Sequence, residues 1–477
     1  MKLSILCAVS MFALLSCSLE AGAAAGTTEA VVAADESALA DAAARAALGD
    51  GLFAGIAVAV SRNGKIVYRN GFGLADVERR IPVNVDTRFP VGSITKPITC
   101  LSLQQLAAAG RVDTDAKAGR YLPDLPAPAR DVALRHLLDH TSGIENYIEV
   151  GEFPYRRPTG LSRGDMTAFF AGKPLRFPSG EKFSYSNSNT YLLGLIIEAV
   201  SGESYDTYVK GHVFAPLGMT RSDFEARPEG DANRALGYQS RSGMFSRAIG
   251  YDWLVPFSAG AAVSTAPDLL RFADGLFGEA TKSVHERLLV HGTLGDGTRN
   301  AYTQGCLVEG RLGDARRFSH SGAIYGFSAH FAHYPDQKLS VAVLTNSQGE
   351  NFGAITLSNR IARIFLGQSE PEQIDRPLDT AAASWIAGDY RVGNRRLGID
   401  RLRFSLRDGK LWLETGTPGR GGQPGEKQEI PLVHLGENRF VSPRDSEQRF
   451  RFEKSAEGVK VLLDYHGGDM PFHRVSE

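Results

Sequence analysis

Cysteine is scarce, at four in 477 residues, which excludes a fold built on a disulfide framework. Neither sign of charge dominates. Fifty-three Lys and Arg stand against 54 Asp and Glu, for a net charge of −1, and this excludes the basic excess of a nucleic-acid binder and an acidic or basic tail. After the amino-terminal segment no apolar run reaches the roughly 20 residues that span a bilayer. There is no His-Glu-x-x-His, no Cys-x-x-Cys and no Gly-rich phosphate loop, so neither a metal nor a cofactor is expected. What remains is an ordinary globular composition, 43% apolar and 22% charged, in a chain long enough for two domains.

The amino terminus carries an address. Lys2, the apolar stretch Leu3 to Leu15 and the small-residue end Ala23-Ala24-Ala25 read residues 1–25 as a secretory signal. The protein is then exported, periplasmic or secreted. Leu14-Leu15-Ser16-Cys17 also resembles a lipobox. Cut there, Cys17 would be lipidated and the protein tethered to a membrane face. Cys100 and Cys306 remain after processing. An exported pair is able to form a disulfide, but both lie in apolar segments and are expected as buried thiols.

Residues 26–367 read as one α/β (α+β) domain. Residues 27 to 50 are Ala-rich and helical in pattern. Gly55 to Val60 and Lys65 to Tyr68 flank Asn63-Gly64 as a hairpin. Gly92 to Ala109, Asn189 to Val200 (ended by Gly202), Thr265 to Leu276 and Leu357 to Leu366 read as helices. Phe327 to Tyr334 and Leu339 to Leu344 read as paired strands, so the strands of one sheet come from both ends of the domain. His330 and His333, three apart on a strand, point to opposite faces. Residues 368–384 are polar with Pro371 and Pro377, a linker. Residues 385–477 lose the helical period and read as a small all-β domain, barrel or sandwich, with a hairpin at Asp408-Gly409 and a flexible loop at Gly416 to Gly425.

Ser93-Ile94-Thr95-Lys96 is the sharpest chemical feature. A serine hydroxyl needs an adjacent base, and a lysine three residues on shares its helix face. Pro97 is tolerated only in a first turn, which puts Ser93 at the helix start. Tyr185-Ser186-Asn187 supplies a phenol that loses its proton more readily near a lysine ammonium, and an amide for lysine or substrate. His320-Ser321-Gly322 leads into a strand, where a glycine lets substrate backbone approach. Each short motif has decoys: Ser179-Gly180-Glu181-Lys182, Tyr68-Arg69-Asn70, Lys117-Ala118-Gly119, His434-Leu435-Gly436 and His466-Gly467-Gly468. The ordered set carries the weight.

That set resembles the serine β-lactamase and penicillin-binding-protein-like hydrolases, in their class C-like branch. Asp76 to Pro82, His136 to Gly143, Pro216 to Met219 and Val263 to Asp268 extend the resemblance over residues 40 to 366. It implies an antiparallel sheet flanked by helices, with an all-helical subdomain. It also implies an acyl-enzyme on Ser93, with Lys96 and Tyr185 sharing proton transfer and Asn187 positioning Lys96 and substrate. The N–H groups of Ser93 and Ala323 would form the oxyanion hole. His320, Ser321, Gly322 and Ala323 would line the substrate side.

The sequence departs from the pattern at His320, where β-lactamases and cell-wall peptidases of this type carry lysine. A histidine near its reference pKa of about 6.5 is mostly neutral at pH 7. Weak selection for a substrate carboxylate follows, and if His320 must be neutral, acyl transfer should fall below about pH 6. His-x-Gly accompanies esterases and D-amino-acid amidases or peptidases, so the expected substrate is an ester, a small amide or a short peptide. A β-lactamase or D-Ala peptidase is the alternative, and a non-catalytic envelope binding protein the alternative of another class. His140, in the Thr-Ser-Gly turn, reads as structural. The loops Glu145 to Gly164 and Gly230 to Asp252 would shape the pocket. Nothing in the sequence sets the oligomeric state.

Overall fold

The computed structural model describes residues 35–151, 160–224, 233–241, 243–248, 252–348, 353–396, 399–416, 427–443, 445–456, 458–465 and 469–475. The signal segment, Cys17, the loop at Gly416 to Gly425 apart from Gly416 itself, the His466 decoy and parts of both pocket loops lie outside them. Among the described residues no helix is long and apolar enough to cross a membrane.

Helix α1 (35–49) precedes strands β1 (Gly55–Arg62), β2 (Lys65–Asp76) and the short β3 (Ile81–Pro82). Helices α2 (Thr95–Ala108), α3 (Asn187–Ser201) and α4 (Ala266–Gly275) follow. The chain returns to the sheet through β4 (His291–Thr293), β5 (Arg299–Thr303), β6 (Val308–Leu312), β7 (Ala315–Ile324), β8 (Phe327–Tyr334) and β9 (Leu339–Thr345), then closes with α5 (Gly353–Leu366). The sheet order is β3-β2-β1-β9-β8-β7-β6-β5-β4. Strands from the two ends of the domain thus meet at β1 and β9, antiparallel, with Val58 opposite Val343.

The sheet is covered on both faces, which explains why β1 is apolar from Gly55 to Val60 instead of alternating. Ile56, Val58 and Val60 face one core with Ala40 and Ala44 of α1 and Leu357 and Ile361 of α5. Ala57 and Ala59 face the other, larger core, with α2, α3 and α4. The β1–β2 hairpin turns on Asn63 and Gly64, both at positive φ (54° and 72°), as its two-residue loop requires. Gly202 ends α3 in the left-handed region at φ 79°, the expected helix stop. On β8, His333 stacks against Phe277 and bonds Ser340, while His330 alternates to the other face.

Cys100 and Cys306 correct an expectation. They form a disulfide, with Cα atoms 5.9 Å apart, within the span a disulfide bridges. Apolar surroundings read locally suggest free thiols, but α2 packs directly on the turn between β5 and β6 that holds Cys306. The bond closes a span of 206 residues. On the chain-entropy estimate it stabilises the fold by about 5 kcal/mol. Calorimetry under reducing conditions should therefore show a thermal midpoint several degrees below that of the oxidised protein. An unchanged midpoint would mean the thiols are unpaired.

The remaining strands are β10 (Gly388–Arg396), β11 (Ile399–Arg407), β12 (Lys410–Gly416), β13 (Lys427–Pro431), β14 (Val433–Gly436), β15 (Arg439–Ser442), β16 (Asp445–Ser455), β17 (Gly458–Tyr465) and β18 (Asp469–Arg474). They form one nearly closed, barrel-like sheet in the order β13-β12-β11-β10-β18-β17-β16-β15-β14. Tyr390, Phe404, Phe440, Phe450, Phe452 and Phe472 fill it. Part of the polar stretch before it is pinned to this sheet instead of hanging free. The Arg376 N–H donates to the His434 carbonyl, the His434 N–H donates to Asp375, and Lys410 pairs with Asp375 at 3.0 Å.

Candidate active site

The sequence expects one helix from Gly92. The structure instead has a 3₁₀ turn, Gly92–Ile94, running into α2. Gly92 takes φ 52°, a conformation open to glycine at little cost. Ser93 therefore sits in the turn, partly exposed, and Lys96 in the first turn of α2, fully buried. Pro97 is the third residue of α2, where no intrahelical hydrogen bond is lost.

Among the described residues Lys96 Nζ has three oxygen neighbours: Asn187 Oδ1 at 2.7 Å, the Ala259 carbonyl at 2.8 Å and Ser93 Oγ at 3.2 Å. No carboxylate is among them. Burial therefore holds the Lys96 ammonium well below the ordinary lysine value. A neutral amine has two N–H bonds and one lone pair. The two carbonyl-type oxygens take the two hydrogens, so the lone pair is left for the Ser93 hydroxyl. The Ala259 carbonyl is itself fixed from α2. Thr99 Oγ1 donates to the Ser258 carbonyl at 2.7 Å, and the Ala262 N–H donates to Thr95 Oγ1 at 3.0 Å.

Tyr185 and Asn187 arrive together because Ser186 is extended (φ −140°, ψ 123°) and α3 begins at Asn187, two residues earlier than the periodicity suggests. Asn146 Oδ1 accepts from both the N–H and Nδ2 of Asn187, each at 3.1 Å. That fixes the amide with its oxygen toward Lys96. The Tyr185 phenol hydrogen-bonds Ser93, and its ring centroid lies 4.8 Å from Lys96 Nζ. Although the ring borders the open site, burial raises this phenol above its ordinary value, and the bond to Ser93 offsets only part of the rise. The expected easy loss of the phenol proton is thus reversed. Burial moves Lys96 toward the neutral amine and keeps the Tyr185 phenol protonated.

His320 on β7 is buried and both ring nitrogens are engaged. Nδ1 lies 2.6 Å from the Ser321 carbonyl, so it must carry the hydrogen. Nε2 then accepts from the Tyr302 hydroxyl at 2.9 Å. Burial is the main cause that pushes His320 down to about 3. It is neutral at pH 6 and above, so a fall in acyl transfer that begins at about pH 6 does not come from this ring. Gly322 and Ala323 lie against the nucleophile turn. A Cβ at Gly322 would sit 1.8 Å from the Val91 carbonyl oxygen and 3.2 Å from the Ser93 nitrogen. Only glycine fits there, and it sets Ala323, exposed on the next position, beside Gly92.

The structure thus brings Ser93, Lys96, Tyr185, Asn187 and the His320–Ala323 strand together. It leaves the described decoys elsewhere. Ser179 donates to the Ser142 carbonyl, while Lys182 is solvent-facing and pairs with Glu181. Tyr68 bonds Asp41. Tyr302, Asn146 and the Ala259 carbonyl join the site without having been picked out from the sequence. An aromatic on β5, separated from the His-x-Gly strand by β6, would have been the one readable hint.

Sequence comparison places this geometry among known proteins. Residues 40–364 match the Beta-lactamase family. Protein flp of Staphylococcus aureus (strain MRSA252) is 28% identical over 62% of this chain, and the match spans 60% of that protein's length. Penicillin-binding protein 4* of Bacillus subtilis (strain 168) is 26% identical over 85% of this chain and 89% of its own. A D-stereospecific amidohydrolase from a Streptomyces species superimposes with a TM-score of 0.60 at 25% identity, covering 70% of this chain and 99% of that one. With the family match spanning the sheet, the helices and every residue that meets around Ser93, the chain belongs to the beta-lactamase family of serine hydrolases.

Proposed function

We propose that this protein is an exported hydrolase that cleaves an ester, a small amide or a short peptide through an acyl-enzyme on Ser93. The arrangement of Lys96 carries this reading: a buried amine whose hydrogens are taken by Asn187 and Ala259 and whose lone pair faces the Ser93 hydroxyl. Ser93 Oγ bonds the carbonyl carbon while its proton passes to Lys96 Nζ. The oxyanion forms beside the Ser93 and Ala323 N–H groups. As the tetrahedral intermediate collapses, Tyr185 gives its proton to the leaving oxygen or nitrogen, and the Lys96 ammonium restores it. Water then attacks the acyl carbon, giving up a proton to the same base pair, and Ser93 Oγ leaves reprotonated.

The neutral, fully engaged His320 offers a substrate carboxylate neither charge nor a free N–H. This favours acyl donors without a carboxylate over β-lactams. The D-stereospecific amidohydrolase neighbour is consistent with a small amide. The Cys100–Cys306 bond favours an oxidising compartment, in keeping with a signal at residues 1–25 or a lipid anchor at Cys17.

The test is turnover of a short-chain nitrophenyl ester beside a chromogenic cephalosporin, with Ser93→Ala as control. Expected is ester hydrolysis that drops by about 10³-fold or more in Ser93→Ala, with little cephalosporin cleavage. Dominant cephalosporin cleavage would make the protein a β-lactamase. Absence of Ser93-dependent turnover of either, or of D-amino-acid amides, would leave a binding module.

A further inference from the structure

We infer that His140 is the positioning residue that holds the Tyr185 phenol over Ser93, an inference that rests on the proton-donor role proposed for Tyr185. His140 stands at the end of the short helix Leu134–Leu138, at φ 58°, and is fully buried. Its ring lies 4.5 Å from the Tyr185 ring, tilted by 36°, and 4.9 Å edge-on from Tyr302. It therefore backs both the proton donor and the tyrosine that bonds His320.

The ring's own orientation is fixed from α3. Its Nδ1 accepts from the Ser186 N–H and from Asn189 Nδ2, both at 3.2 Å. Ser142 Oγ donates in turn to Asn189 Oδ1 at 2.7 Å. Ser186 is the central residue of Tyr185-Ser186-Asn187, so one imidazole grips the backbone between the two site side chains and the face of the first. With Nδ1 as acceptor, the hydrogen sits on Nε2, a buried atom without a hydrogen-bond partner among the described residues. Leaving such a donor unpaired is unfavourable. A phenylalanine would give the stacking alone, and an asparagine the acceptor alone. Only an imidazole gives both, and the unpaired Nε2–H accompanies that choice.

The test is a cycle of His140→Asn, Tyr185→Phe and the double variant, read as kcat and KM for the ester. Asparagine tolerates positive φ and keeps an acceptor for the Ser186 N–H while removing the ring. His140→Asn is expected to lower kcat by about 30-fold, in the range that small misplacements of a reacting group produce, with KM nearly unchanged. In the Tyr185→Phe background it should cost less than threefold. A loss as large in both backgrounds, or one confined to KM, overturns the inference. Full activity of Tyr185→Phe alone would instead overturn the role given to Tyr185. If His140→Asn fails to fold, Asn189→Leu, which removes one donor to Nδ1, should show the same non-additivity at smaller size. Additive loss there overturns the inference equally.

Discussion

Replacing Lys96 with methionine is expected to lower kcat/KM for a nitrophenyl ester by about 10³-fold, and Lys96→Arg by at least as much. General bases contribute in this range. Methionine matches the length of the buried side chain without an amine. Arginine keeps a cation but stays protonated at any accessible pH. Both variants therefore separate the lone pair from the mere presence of a long side chain. The wild-type pH profile should agree. Lys96 must be neutral to accept the Ser93 proton, so the rate rises with pH through the depressed lysine value and falls on its acid side. That acid limb should persist in His320→Gln, because His320, pushed down to about 3, is already neutral where the limb falls. The measurement needs a thermal-unfolding control, since the Asn187 and Ala259 oxygens lose their donor in Lys96→Met. A folded Lys96→Met enzyme within tenfold of wild type would remove Lys96 as the base.

The parts legible in the sequence are those written within a few residues. Asn63-Gly64 specifies its turn locally, Pro97 marks the first turn of α2, and Gly202 stops α3. The parts that were not legible depend on distance in the chain. Tyr302 and His320 meet because two antiparallel strands neighbour β6 on either side. Asn146 reaches Asn187 across 41 residues. The Ala259 oxygen belongs to the backbone, so its residue letter carries no signal. The Cys100–Cys306 bond needed the packing of α2 on a sheet turn. Protonation states failed for the same reason. A phenol beside a lysine suggests an easily lost proton only if the lysine is charged. Burial of both groups, a tertiary property, reverses the direction for each.

Below pH 6 the folded protein is expected to lose stability, at about 1.4 kcal/mol per pH unit for each proton that the unfolded chain binds in excess. Among the described residues burial lowers four histidines: His136 to about 4, His320 to about 3, His140 well below its ordinary value and His291 below it. In the unfolded chain each titrates near 6.5. Between these limits the unfolded state binds protons that the folded state refuses. Their stabilisation is thus complete above about pH 6.5 and lost as pH falls toward the folded values. His136, only partly buried, counts for less than a whole proton. Asp139 opposes them. Burial raises it to about 6, so the folded state gains a proton that the unfolded state binds only near pH 4. His320 alone roughly balances the proton that Asp139 returns, and His136, His140 and His291 tip the sum toward loss of stability on acidification, each proton of excess being worth about 1.36 kcal/mol per pH unit. Urea midpoints at pH 7, 6 and 5 measure this directly. His320→Gln should flatten the slope by about one proton. A midpoint that stays constant from pH 7 to 5 would mean that the rings protonate in place, and with them the neutral, carboxylate-indifferent wall that His320 is proposed to give the site.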